Sequence, residues 1–296
     1  MNNKLKKIGK STYCLDNPVN IGFYLLDDNN ICLIDTGSSK DYAKLIEKIL
    51  TDNNWNLKYI INTHSHADHI GGNYYLQKKY NCKIYSSVIE ASFISNTILE
   101  PALMYGANPI KSLYNRILHA ASSNCNNIAD IEIDGIKIID LSGHSPGQIG
   151  ILTDDNVFFV GDAYTSKEII EKYSIQYMYD VKSVIEKLNY ILSTDFKFYV
   201  PSHGLIESKD QAFNTIEKNK IAILKNMDII KNIIESKISY NDLLKKVFSI
   251  YKININAIQY HVISATIKSF LRYLEQENLI EIIYDNNEMI IKSITT

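Results

Sequence analysis

The chain has 296 residues, of which 46% are hydrophobic and 22% charged, with a formal net charge of −2. That length accommodates one large domain and a smaller one. It carries no charge excess that would draw it to nucleic acid or an anionic membrane, and no run of about 18 apolar residues that would span one.

The start, from Met1 to Lys10, has basic residues but no apolar segment behind them, which reads as the absence of an export signal. Cys14, Cys32, Cys82 and Cys125 are scattered and form no CxxC pair, so reduced thiols and a cytoplasmic location are expected.

Two apolar runs, Ile21–Leu26 and Asn30–Ile34, read as strands around an Asp-Asn turn. The second runs into Asp35-Thr36-Gly37. A helix follows over 41–50, with Tyr42, Leu45, Ile46, Ile49 and Leu50 on one face. The next strand, 57–62, leads into Thr63-His64-Ser65-His66-Ala67-Asp68-His69-Ile70-Gly71-Gly72. A hydrophobic core has no need of three imidazoles and a carboxylate this close together, whereas a divalent ion does. On extended backbone His64 and His66 point the same way. A helix starting near Ala67 would turn Asp68 and His69 toward a second direction. Gly71 and Gly72 suit a close backbone approach or a positive φ. Asp35 is read as a carboxylate partner for the far nitrogen of a metal-bound histidine.

A helix over 74–80 and a strand over 83–86 continue the β-α-β order. Residues 88–127 read as a helical cap insertion, broken by Pro101, Gly106 and Pro109. The cap either packs as a helical pair or shapes a pocket. His119 within it is read as a surface or hydrogen-bonded histidine. Residues 131–141 alternate as a hairpin about Asp134-Gly135, and a second hairpin spans 150–160. Strand ends then deliver His144, Asp162 and, after a strand over 196–200, His203. From about residue 211 the chain reads as helices, 212–236, 241–251 and 257–276, followed by a hairpin about Asp285-Asn286-Asn287. This winged-helix-like region has balanced charge and lacks the electrostatic footprint of a nucleic-acid reader. It is expected to pack against the catalytic part or to form a homodimer contact, and also to close one side of the site, with His261 in or beside its core.

The set His64-x-His66-x-Asp68-His69, His144, Asp162 and His203, with Asp35-Thr36-Gly37 before it, resembles the metallo-β-lactamase-fold hydrolase superfamily. The resemblance covers residues 20 to 204. It implies an α/β fold, a four-layer αββα sandwich over 1–210, with a small helical C-terminal domain over 211–296. It further implies that His64, His66 and His144 hold a first metal ion, that Asp68, His69 and His203 hold a second, and that Asp162 bridges them. Ser142 stands where many relatives have Pro, and Gln148 where several have a histidine that is not a ligand.

Two divalent ions, zinc first by ligand chemistry with iron or manganese as alternatives, would share a hydroxide and leave a net positive centre. The expected function is cleavage of a small, anionic ester, thioester or lactone, with Asp68 both ligating and accepting a hydrogen bond from the nucleophile. The alternative is a nucleic-acid phosphodiesterase using the same centre. It would require a basic groove that the composition does not supply. Tyr105 or Tyr164 is the tyrosine expected to touch the organic part of the substrate.

Overall fold

Alternation along the strands decides the layering. In the run Asn30–Ile34, Ile31 and Leu33 face a helical layer containing Ala43, Ile46 and Leu50. Cys32 and Ile34 face the other way, into a cluster with Ile151, Val157 and Phe159. In the run Val157–Gly161, Phe158 and Val160 point out again, onto a second helical layer with Val181, Leu188 and Ile216. Two sheets therefore pack face to face with helices outside each, which is an αββα sandwich. The structure is a computed structural model that describes residues 4–16 and 18–294.

The first half contains β1 (Leu5–Lys7), β2 (Thr12–Leu15), β3 (Ile21–Leu25), β4 (Asn30–Ile34), α1 (Lys40–Asp52) and β5 (Asn56–Ile61). It continues with α2 (Ala67–Ile70), α3 (Asn73–Tyr80), β6 (Lys83–Ser86), α4 (Val88–Ser95), α5 (Leu99–Tyr105) and β7 (Cys125–Asn127). The strands lie in sequence order in one seven-stranded sheet. β1 to β4 pair antiparallel, and β4 to β7 pair parallel through crossovers. Helix α1 starts where the Ser39 side chain accepts from Asp41 N, and it buries Ala43, Ile46, Ile49 and Leu50 along one stripe.

The second half contains β8 (Ile136–Asp140), β9 (Ile149–Thr153), β10 (Val157–Gly161), α6 (Lys167–Lys172), α7 (Val181–Leu192) and β11 (Phe198–Pro201). The second sheet has the order β11-β10-β9-β8. The chain then forms α8 (Lys209–Ile233), β12 (Lys237–Ser239), α9 (Tyr240–Ile250), α10 (Ala257–Gln276), β13 (Ile280–Asp285) and β14 (Glu288–Ser293). The expected order of helices then hairpin is present, with an added strand: β12 pairs β14 to complete a small sheet. The cluster on the outer face of the second sheet runs without a break from Phe158 and Tyr199 into Ile216, Leu244, Ile267 and Phe270. Among the described residues no helix is long and apolar enough to cross a membrane.

The structure corrects two expectations and adds one feature. Residues 131–141 are not a hairpin. Only Ile136–Asp140 is a strand, and its partner is β9. Ile131 and Ile133 use their alternation to pack against the inter-sheet cluster without a strand partner. The 88–127 stretch is not helical to its end, because β7 joins the first sheet beside β6. Two short N-terminal strands, β1 and β2, extend that sheet beyond β3.

Candidate metal centre

Every expected ligand lies just past a strand end at one edge of the sandwich, in a loop or, for Asp68 and His69, in a short helix. β5 ends at Ile61 and hands over to the histidine loop and the four-residue helix α2, which carries Asp68 and His69. Gly71 and Gly72 both have negative φ, so their role is proximity. A Cβ on Gly71 would lie 2.3 Å from the Ser38 carbonyl carbon, and one on Gly72 2.7 Å from the Thr36 carbonyl oxygen. That fit lets α2 dock on the loop after β4. β10 ends in Gly161 at φ +60, a turn that delivers Asp162.

The five imidazoles face one another. The His64 ring lies 4.5 Å from His66, 3.9 Å from His69 and 5.1 Å from His144, centroid to centroid. His144 Nε2 is 3.0 Å from His66 Nδ1. His203 Nε2 is 3.2 Å from Asp68 Oδ2 and 3.5 Å from Asp162 Oδ2. His69 Nε2 is 3.5 Å from Asp162 Oδ1. Three ligand groups result: His64 with His66 and His144, His64 with His69 and Asp162, and Asp68 with His69 and His203. All seven sequence-predicted side chains thus converge.

The nitrogens that face away from this cluster have protein partners. His69 Nδ1 meets Asp35 Oδ2 at 2.9 Å, His144 Nδ1 meets the Tyr177 carbonyl at 3.1 Å, and His203 Nδ1 meets the Pro18 carbonyl at 3.0 Å. Carbonyl and carboxylate oxygens only accept, so each of these three rings keeps a proton on Nδ1 and turns Nε2 inward. His64 Nδ1 is 3.0 Å from the Thr63 hydroxyl, which itself donates to Asp35 Oδ2 at 2.7 Å. His66 is reversed: Nδ1 faces the cluster, while Nε2 faces Glu100 Oε1 at 3.4 Å.

Inside the cluster, His64 Nε2, His69 Nε2 and Asp162 Oδ1 are buried without any hydrogen-bond partner. Leaving one such atom bare costs about 1–3 kcal/mol. Three together, all lone-pair donors aimed at one volume, fit divalent cations. The charges agree with that geometry. Burial and the neighbouring imidazoles His69, His66, His144 and His203 hold His64 well below the ordinary histidine range. Burial, joined by His66, depresses His144 to about 3. Burial also pulls on His69 and His203, but carboxylates outweigh it. Asp68, Asp162 and Asp35 push His69 up to about 9, and Asp162 and Asp68 push His203 up to about 10. Burial opposes ionisation of Asp162, yet His203, His69 and His144 hold its carboxyl below the usual range.

A cavity of about 950 Å³ opens onto Asp68, His144, Asp162 and His203. Ile169, Tyr173, Ile175, Tyr177 and Val262 give it apolar walls, and Lys4, Lys6 and Lys172 line it as well. Lys6 is tied to Asp16 at 2.6 Å, whereas Lys4 and Lys172 have no carboxylate partner among the described residues. Val262 comes from α10, so the C-terminal region contributes one wall.

The expected tyrosines are placed elsewhere. Tyr164 is buried, and its hydroxyl donates to Glu207 Oε2 at 2.9 Å. Tyr105 packs on His261 at 5.2 Å and lines a separate cavity. The tyrosines at the site are Tyr173, on the cavity wall, and Tyr177, whose ring lies 5.5 Å from His66. His119 sits apart, its Nε2 3.3 Å from the Thr97 hydroxyl. The sequence reading also passed over Glu90 and Glu100, two buried carboxylates in the cap. Their signal was available: each sits four residues before a buried apolar side chain on one helix face, Glu90 before Ile94 and Glu100 before Met104.

A family model described as the metallo-beta-lactamase superfamily matches residues 15–203. A hydroxyacylglutathione hydrolase of Haemophilus influenzae is 29% identical over 140 residues, covering 46% of this chain and 62% of that protein. A second, from Pelagibacter ubique, is 44% identical over 64 residues, covering 21% of this chain and 25% of that one. Each match thus spans less than two thirds of the relative. A beta-lactamase domain protein from Burkholderia ambifaria superposes with a TM-score of 0.74 at 15% identity, covering 99% of this chain and 94% of that one. A metallo-beta-lactamase family protein from Thermus thermophilus gives 0.68, also at 15% identity, over 95% of this chain and 98% of that chain. At such identity the two structures speak for the fold alone. With 189 of its 296 residues under the family model and its histidine loop within that span, the chain belongs to the metallo-beta-lactamase superfamily.

Proposed function

We propose that the chain is a metal-dependent hydrolase of a small anionic thioester, with esters and lactones as the neighbouring substrates. The observation that carries this reading is the set of three buried, partnerless nitrogen and oxygen atoms on His64, His69 and Asp162, of which Asp162 also lines a cavity with apolar walls. His64, His66 and His144 would hold one divalent ion, and Asp68, His69 and His203 a second. Asp162, which lies within 3.6 Å of His69, His144 and His203, would touch both. Zinc suits this nitrogen and oxygen set first, with iron and manganese behind it. When bound, the ions would supply Lewis acidity and an acidified water as nucleophile.

The protein's own groups supply the rest. Asp68 is the more exposed of the two site carboxylates, with its side chain 39% accessible at the cavity floor. It orients the attacking water by accepting its hydrogen bond. Water adds to the carbonyl carbon, the C–S bond breaks, and the proton released by the water returns to the departing sulfur, giving a carboxylic acid and a thiol. The apolar walls at Ile169, Ile175 and Val262 take the organic portion. Lys4 and Lys172 favour a carboxylate on the substrate. The similarity to two hydroxyacylglutathione hydrolases supports a thioester among the candidate bonds.

A panel of thioesters, esters, lactones and phosphodiesters, assayed with and without a chelator, tests the reading. Thioester turnover that chelation abolishes and zinc restores is the expected result. Turnover confined to phosphodiesters would refute it.

A further inference from the structure

No residue of 88–127 lines the 950 Å³ cavity, so the cap is not a wall of the substrate site. What it sends toward the metal loops is two carboxylates. Glu90 of α4 is fully buried. Its Oε2 accepts from Ser65 N at 2.8 Å, and its Oε1 accepts from the Ser145 hydroxyl at 2.7 Å and from Gly147 N at 2.8 Å. One side chain thereby ties the loop of His64 and His66 to the loop of His144. Glu100 of α5, also buried, places Oε1 3.4 Å from His66 Nε2.

His66 is the odd member of the cluster. The other four rings direct Nδ1 to a protein oxygen and Nε2 inward. His66 alone turns Nδ1 inward, and the oxygen behind its Nε2 belongs to the cap. A neutral imidazole carries one proton, so an acceptor at Nε2 determines which nitrogen is free to ligate.

We propose that Glu100 is a positioning residue for the three-histidine pocket. It holds the His66 proton on Nε2 so that Nδ1 is the ligating atom, while Glu90 sets the spacing of the two loops that carry the pocket. The cap is then part of the metal scaffold. This inference rests on the reading of His64, His66 and His144 as ligands of one ion.

The test uses the full chain, stripped of metal and titrated with zinc, as wild type and as Glu100→Gln. Wild type is expected to take two ions. Glu100→Gln is expected to bind the three-histidine ion about 10–100-fold more weakly, with the other ion and the melting temperature of the metal-free protein unchanged. A general structural role would lower that melting temperature and weaken both ions alike, and this result, or two ions bound at wild-type affinity, would overturn the inference alone. Wild type holding fewer than two ions would overturn it together with the reading beneath it. A measurement without any variant runs in parallel. Nitrogen-15 histidine spectra of the zinc-loaded wild type should show His66 as the one ligating ring protonated on Nε2, and protonation on Nδ1 would refute the proposal.

Discussion

Asp35 stands directly behind His69, Oδ2 to Nδ1 at 2.9 Å, with both side chains closed off from solvent. The same carboxylate accepts from Thr63 N at 2.9 Å and from the Thr63 hydroxyl at 2.7 Å. One side chain thus orients His69 directly and His64 through Thr63. Asp35 itself sits at φ 60, which Asn also adopts readily. Asp35→Asn therefore keeps the backbone while removing the charge and one acceptor. Denaturant unfolding should show a loss of about 3–5 kcal/mol, the scale for breaking a buried pair. Metal content should fall with it.

Zinc uptake should release protons from identifiable rings. His69 and His203, raised to about 9 and about 10, are protonated at pH 7.5 and must lose a proton to ligate. His64 and His144 already lack one at that pH. The affinity of the metal-free protein should thus climb with pH up to about 9–10 and flatten above it. Calorimetry in buffers of different ionisation enthalpy should find roughly two protons from these rings at pH 7.5, in addition to any lost by bound water. Proton-neutral uptake at that pH would contradict the account.

The third prediction concerns a brace from outside the family match. Thr266 of α10 is fully buried. Its hydroxyl accepts from Met178 N at 3.3 Å and shares its one proton between the Gln176 and Val262 carbonyls, each at 3.2 Å, so it braces the residues on either side of Tyr177. The Tyr177 carbonyl in turn accepts from His144. Thr266→Val keeps the shape and strands those two backbone groups, at about 1–3 kcal/mol each. Chemical denaturation should register that loss, and kcat/KM should fall although position 266 touches neither cavity nor ligand.

Charge on the cavity wall gives a fourth. Lys172→Glu should raise KM for an anionic thioester about 2–5-fold, the range of an exposed ion pair, with kcat little changed. Added salt should shrink the difference. An uncharged thioester should show no such effect.

The sequence was most legible where chemistry constrains it most. His64, His66, Asp68, His69, His144, Asp162 and His203 were identifiable because imidazoles past strand ends have few other uses, and all seven meet in one place. The strand alternation that separates Ile31 from Cys32 carried the layers. It misled at Ile131 and Ile133, where the same period-2 pattern seats side chains on a core without a ladder partner. Glu90, Glu100 and Tyr177 went unread for a different reason. The helix pattern marks Glu90 and Glu100 as facing inward, but their roles, like that of Tyr177, arise from contacts between residues 25 to 111 apart, such as Ser65 with Glu90 and His66 with Tyr177, and no local pattern reports those. Tyr164 was misassigned because position beside Asp162 does not reveal that its ring turns into the core toward Glu207.

The most direct test is anomalous scattering from a crystal of the full chain grown with zinc. Two metal peaks are expected, one enclosed by His64, His66 and His144 and one by Asp68, His69 and His203, with Asp162 in contact with both. A single peak, or none among these side chains, would contradict that expectation.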